Sequence, residues 1–243
     1  MRKLAALVIA LFVAGPIAWA QAPASSVVVG AVKIVAPECD GFQKLGDVPQ
    51  LAAILKSVSP RNSIQVTLCA PNEICDLLKK DAATPVSRYV YIFATKRLEN
   101  EAQTSEKFQE LVNKAKERQQ TELKSLPTAP GDATVPPKEL DPTAGMKAGD
   151  SRAIPQLVEG TDYLTVPIYL CCPVPNGPAQ PTFLVTAMSF VRVRERVIFI
   201  HVTSFYKSKA DLDWVMAASA KWVPALLAAN ADAPVALVNA KEE

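Results

Sequence analysis

Two long apolar segments near the C-terminus are joined by a very short link. Residues 181–194 (PTFLVTAMSFVRVR) and 196–206 (RVIFIHVTSFY) are rich in β-branched and aromatic residues, which is typical of β-strands. The link between them is the tight, charged turn around Glu195. So short a link favours antiparallel pairing, because a parallel pair needs a crossover of a dozen residues or more. The pattern therefore predicts an antiparallel hairpin at the centre of the fold.

Further segments alternate between strand-like and helix-like patterns. The additional predicted strands are 25–35, 63–69, 87–95 and 161–171. The predicted helices are 48–58, 72–80, 105–126 and a C-terminal helix from about 208 to 230. In the last of these, Ser208 and Asp211 form a capping-box-like start, Pro224 should disturb the hydrogen bond near Ala220, and Asn230 suits a left-handed C-terminal cap.

The element order predicts the α+β class, with a mainly antiparallel sheet covered by helices. Both faces of the C-terminal strands are apolar, which suggests a central position with helices on one side. Residues 127–152 are rich in proline and glycine, so we expect a flexible loop there. The expected organisation is one α+β domain over 21–230, with a tail at 231–243.

The run from 181 to 230 has a strand, a charged hairpin, a second strand ending in Ser-Phe-Tyr, and a helix with a late Trp and Leu-Leu. This succession resembles the PsbP/Mog1-type α/β/α sandwich and the closing part of exported bacterial proteins. The resemblance covers about fifty residues. It implies a non-catalytic binding or accessory role and assigns no role to any single residue.

The first twenty residues (MRKLAALVIALFVAGPIAWA) have the three parts of a secretory signal peptide. Arg2 and Lys3 form the positive region, an apolar stretch follows, and Ala18-Trp19-Ala20 is a small-x-small cleavage pattern. The apolar stretch is short for a membrane span and is broken by Gly-Pro. We therefore expect cleavage after Ala20, a periplasmic or secreted protein, and no membrane span in the mature chain.

The charge balance argues against binding to nucleic acid. The chain has 26 basic and 24 acidic residues, and loss of Arg2 and Lys3 with the signal peptide leaves 24 of each. A chain with no basic excess lacks the electrostatic attraction that dominates binding to a phosphate backbone. We expect no nucleic-acid partner.

Five cysteines follow the predicted cleavage site, namely Cys39, Cys69, Cys75, Cys171 and Cys172. An oxidising compartment favours disulfides, and the sequence does not choose the connectivity. A local Cys69–Cys75 bridge is sterically easy, and Cys39 could reach Cys171 or Cys172. A bridge between the two adjacent cysteines would need a strained ring. We expect at least one structural disulfide. We also expect either Cys171 or Cys172 to form a disulfide with the N-terminal half of the chain.

A metal site or thiol chemistry is a more specific alternative to structural disulfides, but the sequence gives it less support. Soft metals prefer clusters of thiolate and imidazole ligands, yet the chain has no Cys-x-x-Cys spacing and His201 is its only histidine. His201 lies within an apolar strand and is interpreted as a buried sheet residue. No metal ligand and no cofactor is predicted.

Ser204 and Lys207 match the letters S-x-x-K of serine penicillin-binding enzymes. That motif belongs at the start of a helix, whereas Ser204 lies in a predicted strand, and no Lys-Thr-Gly follows. An envelope hydrolase that uses Ser204, Lys207 and His201 remains an alternative, which requires the three side chains to meet in one cleft.

The leading hypothesis is an exported, soluble, non-enzymatic binding or accessory protein of the bacterial cell envelope. No catalytic residue is assigned. The predicted helix 105–126 and the loop 127–152 are the candidate surfaces for an envelope protein partner.

Overall fold

The computed structural model describes residues 26–45, 62–81, 84–125, 143, 145–172 and 182–231. The strands are β1 (Ser26–Val29), β2 (Val32–Val35), β3 (Phe42–Lys44), β4 (Ser63–Pro71), β5 (Arg88–Thr95), β6 (Ser151–Ala153), β7 (Val158–Gly160), β8 (Tyr163–Cys172), β9 (Thr182–Val193) and β10 (Arg196–Phe205). The helices are α1 (Asn72–Lys80), α2 (Ser105–Ser125) and α3 (Lys209–Ala231).

Eight strands form the main sheet, in the order β3-β4-β5-β10-β9-β8-β6, with β7 also paired to β8. All pairings within this sheet are antiparallel. β1 and β2 form a separate two-stranded hairpin. The predicted α+β class with a mainly antiparallel sheet is confirmed.

The central hairpin of β9 and β10 forms as predicted. Its register runs from Arg196 opposite Val193 to Phe205 opposite Leu184. Arg194 and Glu195 form the turn with φ of 48° and 58°, so both are left-handed. A two-residue turn with positive φ at both positions matches the right-handed twist of the strands.

Helices cover both faces of the sheet, whereas the sequence suggested cover on one side only. On one face, here called the α3 face, α3 packs against inward side chains of β9 and β10, among them Val185, Ala187, Ile198, Ile200 and Val202. On the opposite face, α1 and α2 pack over separate apolar clusters that include Tyr89, Phe93, Phe108, Val112 and Leu164. Strands that are apolar on both faces need a layer on each side, which explains the correction.

The predicted single strand over 25–35 is wrong, because the chain reverses within it. Gly30 has a φ of 59°, and a Cβ atom there would overlap the backbone carbonyl oxygen of Glu99. Only glycine tolerates both conditions. The turn at Gly30 folds β1 onto β2 and places Val29 and Ile34 in the core of the α3 face.

The predicted start of α3 is confirmed, while its predicted end is corrected. The carboxylate of Asp211 accepts hydrogen bonds from the backbone N–H groups of Lys207 (2.9 Å) and Ser208 (3.1 Å). The helix continues through Pro224 to Ala231. Asn230 is therefore helical rather than a left-handed cap, and its side chain binds the backbone of β2 instead.

Several predictions fall wholly or largely outside the described residues: the signal peptide 1–20, the helix 48–58, most of the loop 127–152 and the tail 231–243. The predicted loop ends in β6, which begins at Ser151. In the part of the chain that the structure describes, no helix is long and apolar enough to cross a membrane.

Candidate functional site

The three side chains of the hypothetical hydrolase do not meet. Successive residues of a strand point to opposite faces. Ser204 lies on the α3 face, where its Oγ is 3.3 Å from Asp211 Oδ1 at the start of α3. His201 lies on the opposite face, where its ring meets Phe93 edge-on with centroids 4.9 Å apart. The sheet separates Ser204 from His201, so the requirement that the three side chains meet in one cleft fails and this alternative is wrong.

Ser204 belongs to a polar cluster at the start of α3. Arg88 of β5 donates to Asp211 Oδ1 at 3.1 Å and to Ser204 Oγ at 3.4 Å. Its guanidinium also lies 4.7 Å from the centre of the Trp214 ring, a cation–π distance. Burial alone would raise the pKa of Asp211, but the backbone N–H donors of Lys207 and Ser208 and the Arg88 guanidinium outweigh it, so the pKa lies below its ordinary value. The cluster joins β5, β10 and α3.

His201 is a buried, uncharged sheet residue, as the sequence suggested. Only 8% of it is exposed, and burial lowers its pKa to about 4. Burial removes the water that would stabilise a charged imidazole, so the neutral form dominates at physiological pH.

The described residues contain no disulfide. Cys69 lies on the α3 face, whereas Cys75 packs on the opposite face, where its thiol donates to the Ala70 carbonyl at 3.6 Å. The local bridge that looked easy in the sequence would therefore have to pass through the sheet. Cys171 lies on β8, and three strands separate β8 from β4, which carries Cys69.

Cys39 and Cys69 line one pocket of about 450 Å³, here called the thiol pocket. Phe42 and Trp222 form its aromatic wall, with ring centroids 5.3 Å apart. Charged residues at its margin are Glu38, Asp40 and Lys44. The indole Nε1 of Trp222 is buried and has no acceptor among the described residues.

A second pocket, here called the helix–edge pocket, lies between α3 and the strands β7 and β8. Its volume is about 150 Å³. Its walls are apolar and consist of Val158, Tyr163, Met216, Val223 and Leu227. About 150 Å³ is the size of a cavity that holds benzene, so one branched aliphatic side chain or one phenyl ring fits.

The floor of the helix–edge pocket is polar. Thr165 and Ser219 line it, and Ser189 links their hydroxyl groups through hydrogen bonds of 2.8 and 2.9 Å. Pro224 also lines the pocket and has no N–H for the carbonyl of Ala220, which lies four residues earlier in α3. The hydroxyl groups of Thr165 and Ser219 give the apolar pocket a few fixed polar groups, which is typical of ligand sites.

One rim of this pocket is an edge strand. Within the described chain β7 pairs with β8 alone, and its three residues are exposed. Val158 is 41% exposed and points into the pocket, while Glu159 on the other face forms an ion pair with Lys116 of α2. The edge of β7 thus runs between the helix–edge pocket and α2.

The predicted partner helix, α2, is held on the sheet along one side. Phe108 and Val112 are buried, and the side chain of Gln119 donates to the Ile154 carbonyl at 2.6 Å. Most of its other residues are exposed. A further pocket of about 170 Å³ lies under its C-terminal half.

Sequence reasoning missed the helix–edge pocket, because its walls come from β7, β8 and α3, which are far apart along the chain. Pro224 was the only local signal. Among the residues whose placement is described, no group of three or more His, Cys, Asp or Glu side chains has the arrangement of a metal site.

Neither a family model nor a curated protein matches the chain. Among solved structures, the chain is similar to the Ran-binding protein Mog1p of Saccharomyces cerevisiae. The identity is 13%, the match covers 85% of this chain and 87% of that chain, and the TM-score is 0.30. This likeness is a weak one, to a protein of the kind that residues 181–230 resemble. The α+β class itself rests on the sheet and helices described above.

Proposed function

We propose that the protein is an exported, non-enzymatic binding or accessory protein of the bacterial cell envelope. Its partner is a protein that offers an extended segment with one large apolar side chain. The helix–edge pocket beside the open edge of β7 carries this proposal.

A partner segment next to β7 would gain two kinds of contact. Backbone groups of an edge strand bind another strand without regard to its side chains, and a pocket beside that edge selects one side chain. Here the pocket accepts an apolar group, and the polar floor near Ser219 discriminates by shape and hydrogen bonding. α2 flanks the same edge through Lys116, so the predicted partner helix forms part of the proposed surface.

Export is supported by the signal pattern in residues 1–20. We expect the chain to be recovered from the periplasm or medium of a bacterial host with Gln21 as its first residue, and a variant without residues 1–20 to stay in the cytoplasm. Cell fractionation with intact mass spectrometry measures both. Recovery of the uncut chain from the cytoplasm would overturn the proposal of export.

Binding is tested by a photo-crosslinking amino acid at Val158, with the same group at Leu77 as the matched control. Leu77 on α1 is 47% exposed, similar to Val158, and lies far from the pocket. We expect a defined protein adduct from position 158 and no such adduct from position 77. An excess of the wild-type chain, which lacks the crosslinking group, should compete for the partner and abolish the adduct from position 158. Equal adducts from both positions would mean that the surface is not selective.

A substitution gives an independent test. Val158→Arg places a charge at the mouth of an apolar pocket and should weaken partner binding at least tenfold, while Leu77→Arg leaves it unchanged. Both positions are exposed, so both variants should fold. Equal affinity of the two variants for the isolated partner would contradict a role for the helix–edge pocket.

A further inference from the structure

We propose that Cys39 and Cys69 form a disulfide that closes the thiol pocket and ties the edge strand β3 to the sheet. The inference rests on the proposed export, because an oxidising compartment supplies the conditions for bridge formation.

The backbone places both cysteines beside one pocket, although they lie thirty residues apart in the sequence. The Phe42 N–H donates to the Cys39 carbonyl at 3.1 Å, so a tight turn places Cys39 directly before β3. In the pairing of β3 with β4, Phe42 lies opposite Pro71 and Lys44 lies opposite Cys69. Both sulfurs belong to the α3 face and line the thiol pocket beside Trp222.

The other cysteines are poorly placed to bond with Cys69. Cys75 lies on the far side of the sheet from Cys69. Four strand spacings separate β4 from β8, roughly 19 Å, so Cys171 is far beyond the Cα separation of a disulfide. Cys171 and Cys172 are successive residues of β8, paired with Phe183 and Thr182, and a bridge between them would break that ladder.

The surroundings assign different roles to the two thiols. Burial raises the pKa of both, and Lys221 partly offsets this for Cys39. Thr67 and Lys44 do so for Cys69, while the Cys39 thiol on the same face and the Cys75 thiol across the sheet act in the same direction as burial. Cys39 is half-buried and Cys69 is buried, so an incoming oxidant reaches Cys39 first.

The reaction is a thiol–disulfide exchange. The Cys39 thiolate attacks a disulfide donor, which is a small-molecule or protein disulfide, and forms a mixed disulfide while one donor thiolate leaves. The Cys69 thiolate then attacks the Cys39 sulfur and releases the second donor thiolate. The chain loses two electrons and two protons, and the donor is reduced to two thiols.

The test uses the purified mature chain, reduced and then treated with oxidised glutathione. Tryptic digestion without reductant should link peptide 34–44, which contains Cys39, to peptide 62–79, which contains Cys69 and Cys75. The link should persist in Cys75→Ser and disappear in Cys39→Ser and Cys69→Ser. Thermal unfolding of the wild type should occur several degrees higher in the oxidised than in the reduced form, and this difference should be absent in Cys39→Ser.

Two results would overturn the pairing. One is a link within peptide 62–79 or to the peptide that contains Cys171. The other is full alkylation of all five thiols after oxidation and denaturation. The peptide link is measured in the oxidised wild type, which carries no substitution. The test therefore still decides the pairing if one of the variants fails to fold.

The experiment also separates the pairing from export. If the bridge forms with glutathione but is absent from protein recovered from cells, the proposed compartment is wrong and the pairing stands. If protein from the periplasm carries a different bridge, export stands and the pairing is wrong.

Discussion

At the start of α3, the carboxylate of Asp211 accepts hydrogen bonds from the chain that precedes the helix and from Arg88 of β5. An acidic side chain in the first turn also complements the helix dipole. Asp213, two residues later, instead forms an exposed ion pair with Lys209 at 3.1 Å. The two aspartates have the same chemistry and similar positions in sequence, and they differ in what surrounds them.

We expect Asp211→Ala to lower the free energy of unfolding by about 2 kcal/mol, because the helix loses its cap and Arg88 loses its carboxylate. Chemical denaturation followed by circular dichroism measures the change. Asp213→Ala is the matched control and should change stability by less than about 0.5 kcal/mol, since exposed ion pairs contribute little. Equal losses in the two variants would show that the cluster around Arg88 is not stabilising.

At the scale of elements, Asn230 joins the end of α3 to the hairpin of β1 and β2. Its side chain accepts from the Val35 N–H at 2.9 Å and donates to the Val35 carbonyl at 3.0 Å, so it substitutes for a neighbouring strand. Arg194 adds a hydrogen bond of 2.9 Å to the Asn230 carbonyl. The hairpin is thus attached to the end of α3, and Arg194 also donates to the Lys33 carbonyl of β2 at 3.3 Å.

Asn230→Ala should lower the free energy of unfolding by about 2 kcal/mol, because both polar backbone groups of Val35 lose their partner. We further expect faster amide hydrogen exchange throughout β1 and β2, with little change in β9 and β10. Asn113→Ala, on the exposed side of α2, is the control and should leave exchange unchanged. Unaltered exchange at Val35 in Asn230→Ala would contradict this attachment.

At the scale of the whole molecule, stability in mild acid depends on the only histidine. The pKa of His201 is about 4 in the folded state against an ordinary value of 6.5. Between these values the unfolded chain binds the proton and the folded chain does not, so stability falls as the pH falls. The contribution of neutral His201 to the free energy of unfolding is complete above pH 6.5 and is lost as the pH approaches 4.

Wild-type protein should therefore lose up to about 3 kcal/mol of unfolding free energy between pH 7 and pH 4 through His201 alone. Urea unfolding at several pH values, compared with His201→Gln, isolates this contribution, because the carboxylates titrate in both proteins. The difference between the two stability curves should change steadily over this range. A constant difference would show that His201 is not buried in the neutral form.

Much of the fold was readable from local patterns. The hairpin of β9 and β10, the strands β4, β5 and β8, and the helices α1, α2 and α3 lie within a few residues of their predicted bounds, since apolar periodicity and turn residues determine them. The strand predicted over 25–35 failed at Gly30, whose turn depends on a close approach to Glu99. The predicted end of α3 was wrong for a similar reason, because the Asn230 side chain forms hydrogen bonds with a strand nearly two hundred residues away.

The sequence alone determined the α+β class, the charge balance and the cysteines that compete for disulfides, because each follows from composition or from neighbours along the chain. Only the tertiary structure decided which side chains meet. It separated His201 from Ser204 by the thickness of the sheet and placed Cys39 with Cys69 in one pocket. It also built the helix–edge pocket from β7, β8 and α3. Strand order and register determine which side chains lie close together. Both depend on how apolar faces that are far apart along the chain pack together.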